Sequence, residues 1–312
     1  VTARPRVWLA ACADLPRGDG DDSALPAALD AVGVDARWVV WDDPSLDPAD
    51  ADLVVLRATW DYTDRRDDFL AWCESVPRLA NPAGVVRWNT DKAYLLDLAE
   101  AGVAVVPTEL VPPGGAPRWP DAEFVVKPTV GAGSRGAARF AASEVAAAEA
   151  HLARLHAAGH TALLQPYQPA VDAEGETELV FFAGVFSHAR VKGPMLTGAA
   201  TDTCGLFVTE RLWPAEPDPA RRRLAEDALD AASDLLGLDR AALLYARVDV
   251  IRAERGQPAV LELELAEPSL GFRQADPGAP LRFASATRAV LRSRERLTAS
   301  RPAAVPASRP TG

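Results

Sequence analysis

Tyr245-Ala246-Arg247-Val248-Asp249-Val250-Ile251 is followed, after a short gap, by Leu261-Glu262-Leu263-Glu264-Leu265-Ala266-Glu267-Pro268-Ser269. Both halves are apolar runs in which a charged residue recurs at every second position. A β-strand points alternate side chains to opposite faces, so Glu262 and Glu264 share a face, as do Arg247 and Asp249. A two-residue turn at Arg255-Gly256 would set Asp249 opposite Glu262 and Arg247 opposite Glu264. Carboxylates facing one another on a sheet repel. A hard divalent cation removes that cost, and magnesium favours a few carboxylates together with phosphate oxygens and water. A solvated acidic hairpin has the same spacing, but the flanking Leu, Val, Ile and Ala describe buried strands. Asp249, Glu262 and Glu264 are therefore the candidate metal ligands.

Upstream, Gly131-Ala132-Gly133-Ser134-Arg135-Gly136 matches the glycine pattern of dinucleotide-binding loops. That fold requires the loop to lead from a strand into a helix. Here a short strand, Ala137 to Phe140, is expected first, and the helix begins only near Ser143. A glycine loop between two strands reads instead as a flap whose backbone N–H groups can cover phosphates. Lys127, just upstream in an apolar strand, supports this, because lysine is rarely buried without a partner. Lys92, in Arg87-Trp88-Asn89-Thr90-Asp91-Lys92, reads by itself as a surface charge.

The remaining pattern frames these motifs. Strands at Val7–Ala13, Asp35–Trp41 and Asp52–Leu56 alternate with helices at Ser23–Val32 and about Asp64–Val76. Such alternation predicts a parallel sheet with helices on its faces. Arg57 follows the third strand, at the edge where α/β sheets bind ligands, and is the expected anchor for a substrate carboxylate, with Tyr62 beside it. Core packing explains Trp60 and Tyr62 equally well. Helices are expected at Asp91–Ala101, Ser143–Ala158 with Ser143 as N-cap, Pro219–Leu238 and Leu281–Leu291. Leu179–Phe186 and His188–Lys192 read as a hairpin, and the tail beyond Leu297 as disordered.

The chain has 312 residues and a net charge of -11, which argues against a nucleic-acid binder. Its three cysteines, Cys12, Cys73 and Cys204, are scattered and suggest neither a disulfide framework nor a CxxC metal site. No run reaches membrane-spanning length and no signal-peptide pattern appears, so the expectation is a cytoplasmic protein without a membrane partner.

In this order, these pieces resemble the ATP-grasp superfamily, especially its glutathione-synthetase-like branch. They are most similar to the cycloserine-forming O-ureido-serine cyclo-ligase group. The strings that carry the resemblance are Trp60-Asp61-Tyr62, Trp88-Asn89-Thr90-Asp91-Lys92, Val126-Lys127-Pro128, Gln165-Pro166-Tyr167, Gly175-Glu176-Thr177, Ser187-His188-Ala189, Tyr245 to Asp249 and Glu267-Pro268-Ser269-Leu270.

The resemblance implies an N-terminal parallel α/β domain (1–90), a central subdomain with the flap (91–166) and a metal-binding subdomain (167–295), with a tail at 296–312. It implies ATP and one or two magnesium ions, with manganese as a substitute. Lys92 and Lys127 would reach phosphates, and Gly131, Gly133 and Ser134 would close over the last one. Gln165, Pro166 and Tyr167 would meet adenine through backbone groups, and Glu176 would take a ribose hydroxyl. Lys192 would lie near the transferred phosphate.

Two departures stand out. Relatives carry an arginine where this chain has Glu178, and many end the metal motif with asparagine where it has Glu264. Arg247 is the candidate to supply the missing charge. The activity implied is a carboxylate–amine ligation through an acyl phosphate on a small amino-acid-like substrate, by a monomer or homodimer. Ring closure within one molecule and joining of two amino acids both fit, and a nucleotide-binding regulator is the non-catalytic alternative.

Overall fold

The computed structural model describes residues 3–196, 205–206, 209–253 and 256–299. Most of the tail expected to be disordered, and Arg255 of the expected turn, lie outside these residues. The buried runs Val7–Ala11 and Leu53–Ala58 build β1 (Arg6–Ala11) and β3 (Leu53–Ala58), which flank with β2 (Asp35–Val40) in a parallel sheet ordered β2-β1-β3. Helices α1 (Leu25–Ala31) and α2 (Arg66–Ser75) cover it, as the alternation predicted. Two short helices, α3 (Ala83–Asn89) and α4 (Tyr94–Glu100), lead out of this module.

A second, antiparallel sheet is ordered β4-β7-β5-β6, from β4 (Glu109–Val111), β5 (Phe124–Pro128), β6 (Ala138–Phe140) and β7 (Ala162–Pro166). Helix α5 (Val145–Ala157) lays Ala148, Leu152 and Leu155 on Phe124, Val126 and Phe140. Ser143 is not its N-cap: a 3-10 turn, Ala142–Glu144, precedes the helix, and the Glu144 carboxylate accepts the Ala141 N–H at 2.8 Å.

The third layer is a five-stranded antiparallel sheet ordered β10-β9-β8-β11-β12. It comprises β8 (Glu176–Phe182) after the short α6 (Ala170–Glu174), then β9 (Val185–Lys192), β10 (Leu212–Ala215), β11 (Tyr245–Arg252) and β12 (Pro258–Glu264). One face is apolar and packs on α7 (Pro219–Leu236) through Leu224, Ala225, Ala228 and Leu229. The last helix, α8 (Ala279–Ala299), returns to α1 and buries Phe283 with Val7, Leu25, Phe182 and Tyr245. It thus shares a core with the N-terminal module, although the expected division assigned it to the third subdomain.

Two buried asparagines join the layers. Asn81 donates to Tyr245 O (2.8 Å) and Leu265 O (2.6 Å), and Asn89 donates to Leu263 O (2.7 Å) while accepting Leu265 N–H (2.6 Å). No helix among the described residues is long and apolar enough to cross a membrane.

Candidate active site

The expected hairpin register holds where the acids lie: Arg247 faces Glu264 and Asp249 faces Glu262. The turn is longer than two residues, with Ala253 N–H donating to Gln257 O at 2.9 Å. A bulge beside Asp249/Val250 absorbs the difference and restores the alignment. Across the sheet, Arg190 (β9), Glu178 (β8), Asp249 (β11) and Glu262 (β12) form one continuous row on the face away from α7. The next rows carry Arg247 with Glu264, and Lys192 with Glu176. One carboxylate oxygen each of Asp249, Glu262 and Glu264 lies within 4.8 Å of the others, a set of hard oxygens suited to magnesium.

Cations reach this wall from three directions. Lys127 Nζ on β5 is 2.5 Å from Glu262 Oε1, and Lys92 Nζ is 3.7 Å from Glu262 Oε2. Arg247 grips Asp249 with two bonds of 2.8 Å and reaches Glu264 at 2.6 Å. Lys192 lies 2.7 Å from Glu176 and 3.5 Å from Glu178. Glu178, fully buried, is also paired with Arg190. Lys92, unremarkable in isolation, is thus brought to the centre. Its backbone N–H donates to Thr129 O (2.8 Å) and its Nζ to Gly131 O (2.8 Å), which ties it to the glycine loop.

These pairings set the electrostatics. Burial opposes ionisation of Glu262, but Lys127 and Lys92 outweigh it and hold the carboxyl well below its ordinary range. Burial also opposes the charge on Glu178, yet Arg247, Arg190 and Lys192 bring it down to about 2. On Glu264 burial wins: despite Arg247, the group is pushed up to about 8, with Asp249 and Glu262 adding repulsion. Burial likewise raises Asp249. At the β11–β12 end, crowded and buried carboxyls thus resist ionisation beside a single arginine, and a bound cation would favour their charged forms. Burial lifts Glu176 to about 7, partly offset by Lys192.

Through Glu176, Arg190, Lys192, Arg247, Glu262 and Glu264 the wall lines a cleft of about 370 Å³, with Asp249 and Glu178 buried behind them. Its roof is the loop between the antiparallel strands β5 and β6, which removes the dinucleotide reading. Gly131, Gly133 and Ser134 all line the cleft, and Gly133 (φ 59°) and Ser134 (φ 60°) both turn left-handed. Arg135 on the loop donates to Thr63 Oγ1 of the N-terminal module. One end of the cleft is apolar, with Val125, Tyr167, Val171, Leu196, Ile251 and Leu261. Gln165, Pro166 and Glu176 border it. Tyr167 N–H donates to Glu123 O at 2.7 Å, which removes that donor from the backbone contact expected with a base.

The opposite end corrects one expectation. Arg57 is 1% exposed and does not line the cleft. Its Nε donates to Asp22 Oδ2 (2.9 Å), and its Nη2 to Asp22 Oδ1 (3.2 Å) and Pro268 O (2.8 Å). With its donors committed internally, it is a clamp on the 267–270 loop and not a substrate anchor. Tyr62 combines both readings: its ring stacks on Phe69 at 5.0 Å, while its hydroxyl bonds Glu267 at the cleft wall.

Sequence reasoning missed Arg190, Arg273 and Gln274 and gave no role to Asn89, Glu267 and Ser269, which it quoted only within longer strings; all line the cleft. Arg190 could have been found, since it alternates with His188 and Lys192 on one strand face. It lies under Gly271 (φ +66°), where an added Cβ would come within 2.7 Å of Arg190 Cδ. Only glycine lets the loop approach so closely.

A nucleotide-sized cleft between two antiparallel sheets, roofed by a glycine loop and walled by paired lysines and acids, defines an ATP-grasp ligase. The comparisons narrow this. Residues 7–81 match the family model for the N-terminal domain of D-cycloserine synthetase DcsG. The chain is 42% identical over 281 residues to the cycloserine biosynthesis protein DcsG of Streptomyces lavendulae, covering 85% of this chain and 93% of that protein. The crystal structure of D-cycloserine synthetase DcsG superposes with a TM-score of 0.83 at 39% identity, covering 92% of this chain and 99% of that one. The chain belongs to the D-cycloserine synthetase DcsG family of ATP-grasp ligases. D-alanine–D-alanine ligase from Bacillus anthracis shares the fold (TM-score 0.66) at 14% identity, over 94% of this chain and 99% of that one.

Proposed function

We propose that this protein is an ATP- and magnesium-dependent carboxylate–amine ligase of antibiotic biosynthesis. It closes a ring within an amino-acid derivative such as O-ureido-serine through an acyl phosphate, releasing ADP and phosphate. The observation that carries this reading is the convergence of Lys92 and Lys127 on Glu262, beside Asp249 and Glu264, under the glycine loop. The family supports the class of product.

In this reading the base lies in the apolar end between Val125, Tyr167 and Ile251, and Glu176 takes a ribose hydroxyl. Lys92 and Lys127 exchange Glu262 for phosphate oxygens. Asp249, Glu262 and Glu264 would hold magnesium, which would neutralise phosphate charge there. The substrate carboxylate attacks the γ-phosphorus and ADP leaves. The nitrogen nucleophile then attacks the acyl carbon, and inorganic phosphate leaves. Phosphoryl transfer needs positioning and charge neutralisation more than covalent help, and Arg247 and Lys192 supply both. The loop 131–136, latched by Arg135 to Thr63, excludes water that would hydrolyse the acyl phosphate.

The test is ADP formation with ATP, magnesium and O-ureido-serine, with Glu262→Gln and Lys127→Ala as controls. Substrate-dependent ADP release is expected from the wild type, with a loss on the order of a hundredfold or more in each variant. Wild-type turnover by Glu262→Gln removes that residue from the metal site, and no ADP release across a panel of amino acids overturns the ligase reading.

A further inference from the structure

The two ends of the cleft treat their acids differently. On the sheet wall each carboxylate has a cation: Glu262 has Lys127, Asp249 and Glu264 share Arg247, Glu178 has Arg190 and Glu176 has Lys192. Asp19 lines the other end and has no ion-pair partner within 4 Å among the described residues. Its Oδ1 accepts the Asp21 N–H at 2.9 Å, and no other hydrogen bond reaches it among those residues. Burial pushes its pKa up, and Arg57 and Arg273 offset this only at a distance.

The same cleft holds a second idle acceptor. Gln274 lines it too, and its buried Oε1 has no hydrogen-bond partner among the described residues. An unpaired buried polar atom at a cleft calls for an explanation, such as a ligand or a water. The two segments are joined by Asp21, whose carboxylate accepts the N–H groups of Phe272 (3.1 Å) and Arg273 (3.0 Å). Asp19 and Gln274 thus flank one clamp. An anionic and a neutral oxygen, both short of donors, call for a cationic nitrogen. Water can donate to both oxygens but cannot neutralise the charge.

We infer that Asp19 and Gln274 form a subsite for the α-ammonium of an amino-acid substrate, whose reacting carboxylate lies toward Arg247 and Ser269. This rests on the proposed ligase reading, which places the carboxylate, and names the substrate class as an α-amino acid held as a zwitterion. An ammonium held by a carboxylate is kept protonated. It is therefore a spectator, and the nitrogen that attacks must come from the substrate's other end. Ring closure by a side-chain nitrogen fits that demand.

The test is equilibrium binding, by calorimetry with ADP and magnesium present, of O-ureido-serine and of its des-amino counterpart, in which hydrogen replaces the α-ammonium. Wild type, Asp19→Asn and Gln274→Leu are compared. Asparagine keeps the carbonyl that accepts the Asp21 N–H, so the turn is retained. The wild type is expected to prefer the ammonium-bearing ligand at least about tenfold, as for a hydrogen bond to a charged group. That preference should collapse in Asp19→Asn and shrink in Gln274→Leu, while ADP affinity is unchanged in both. In turnover, the Asp19→Asn defect should fall on KM more than on kcat. An undiminished preference in Asp19→Asn overturns the subsite, and so does absence of any preference in the wild type. A wild type that shows the preference but forms no ADP upholds the subsite and sinks the ligase reading instead.

Discussion

Arg57 and Arg247 are near twins in geometry. Each is buried on a strand, each holds an aspartate with two bonds (Asp22 at 2.9 and 3.2 Å; Asp249 at 2.8 and 2.8 Å), and each steadies the same loop through a carbonyl (Pro268 at 2.8 Å; Ser269 at 3.2 Å). They differ in surplus charge. Arg57 meets one ion-paired acid and is sealed from the cleft. Arg247 meets three, with Glu264 at 2.6 Å and Glu178 at 3.8 Å besides Asp249, and opens onto the cleft. A buried arginine–aspartate pair therefore does not by itself mark a site; further acids around it, at the cleft, do.

The largest effect should separate the two directly. Arg247→Met is expected to lower kcat/KM on the order of a hundredfold or more, since it removes charge beside the transferred group. Arg57→Met is expected to destabilise the fold by about 3–5 kcal/mol, because Asp22 is left buried and unpaired. Its folded fraction should keep kcat/KM within about threefold, read at low temperature. Magnesium sharpens the contrast. It should raise the Tm of Arg247→Met, whose acids have lost their arginine, by more than that of Arg57→Met, whose acid cluster is intact. A Tm unchanged by Arg57→Met with a raised substrate KM would return Arg57 to the role of anchor.

A smaller effect is expected inside the Arg247 cluster. Glu264→Asn keeps an oxygen ligand at the position but takes one acid from Arg247. The magnesium requirement should rise by less than about tenfold, because an amide oxygen remains a hard donor. A collapse as deep as that of Glu262→Gln would mean that Glu264 acts mainly by fixing Arg247.

How far the sequence reached follows the same division. Period-two alternation placed Arg247, Asp249, Glu262 and Glu264 on one face, because a strand leaves side chains no other choice. The bulge at Asp249/Val250 was not legible, since it answers to how two strands fit and not to either alone. It happened to cancel the assumed short turn. Arg57 was misread because its position at a strand end is local, whereas Asp22 and Pro268 come from distant segments. Arg190 and Glu178 hid each other: the acid stood out as a departure, but its cation lies on the adjoining strand. Asp19 and Gln274 carry no motif and meet only because Asp21 clamps the 272–274 segment.

The mildest prediction concerns the third tie on the loop that both arginines hold. His188 Nε2 lies 2.6 Å from Leu270 O, the residue after Ser269. As the carbonyl can only accept, Nε2 carries the proton. Burial chiefly, with the charges of Arg282 and Arg190, pushes the imidazole pKa below its ordinary 6.5, although the Leu270 carbonyl opposes this. The unfolded chain then takes up a proton on this histidine before the folded one does. His188 thus contributes stability that is present above pH 6.5 and is lost as pH falls through the folded value. His188→Gln keeps an N–H for Leu270 and cannot titrate. Its Tm should match the wild type at about pH 7.5 and fall less steeply toward about pH 5.5. Parallel curves would mean that the fold leaves the imidazole's titration unmoved, and a wild type that falls less steeply than the variant would mean that the imidazole is already protonated in the fold. The loop would then rest on a charged contact there, as it does at Arg57 and Arg247.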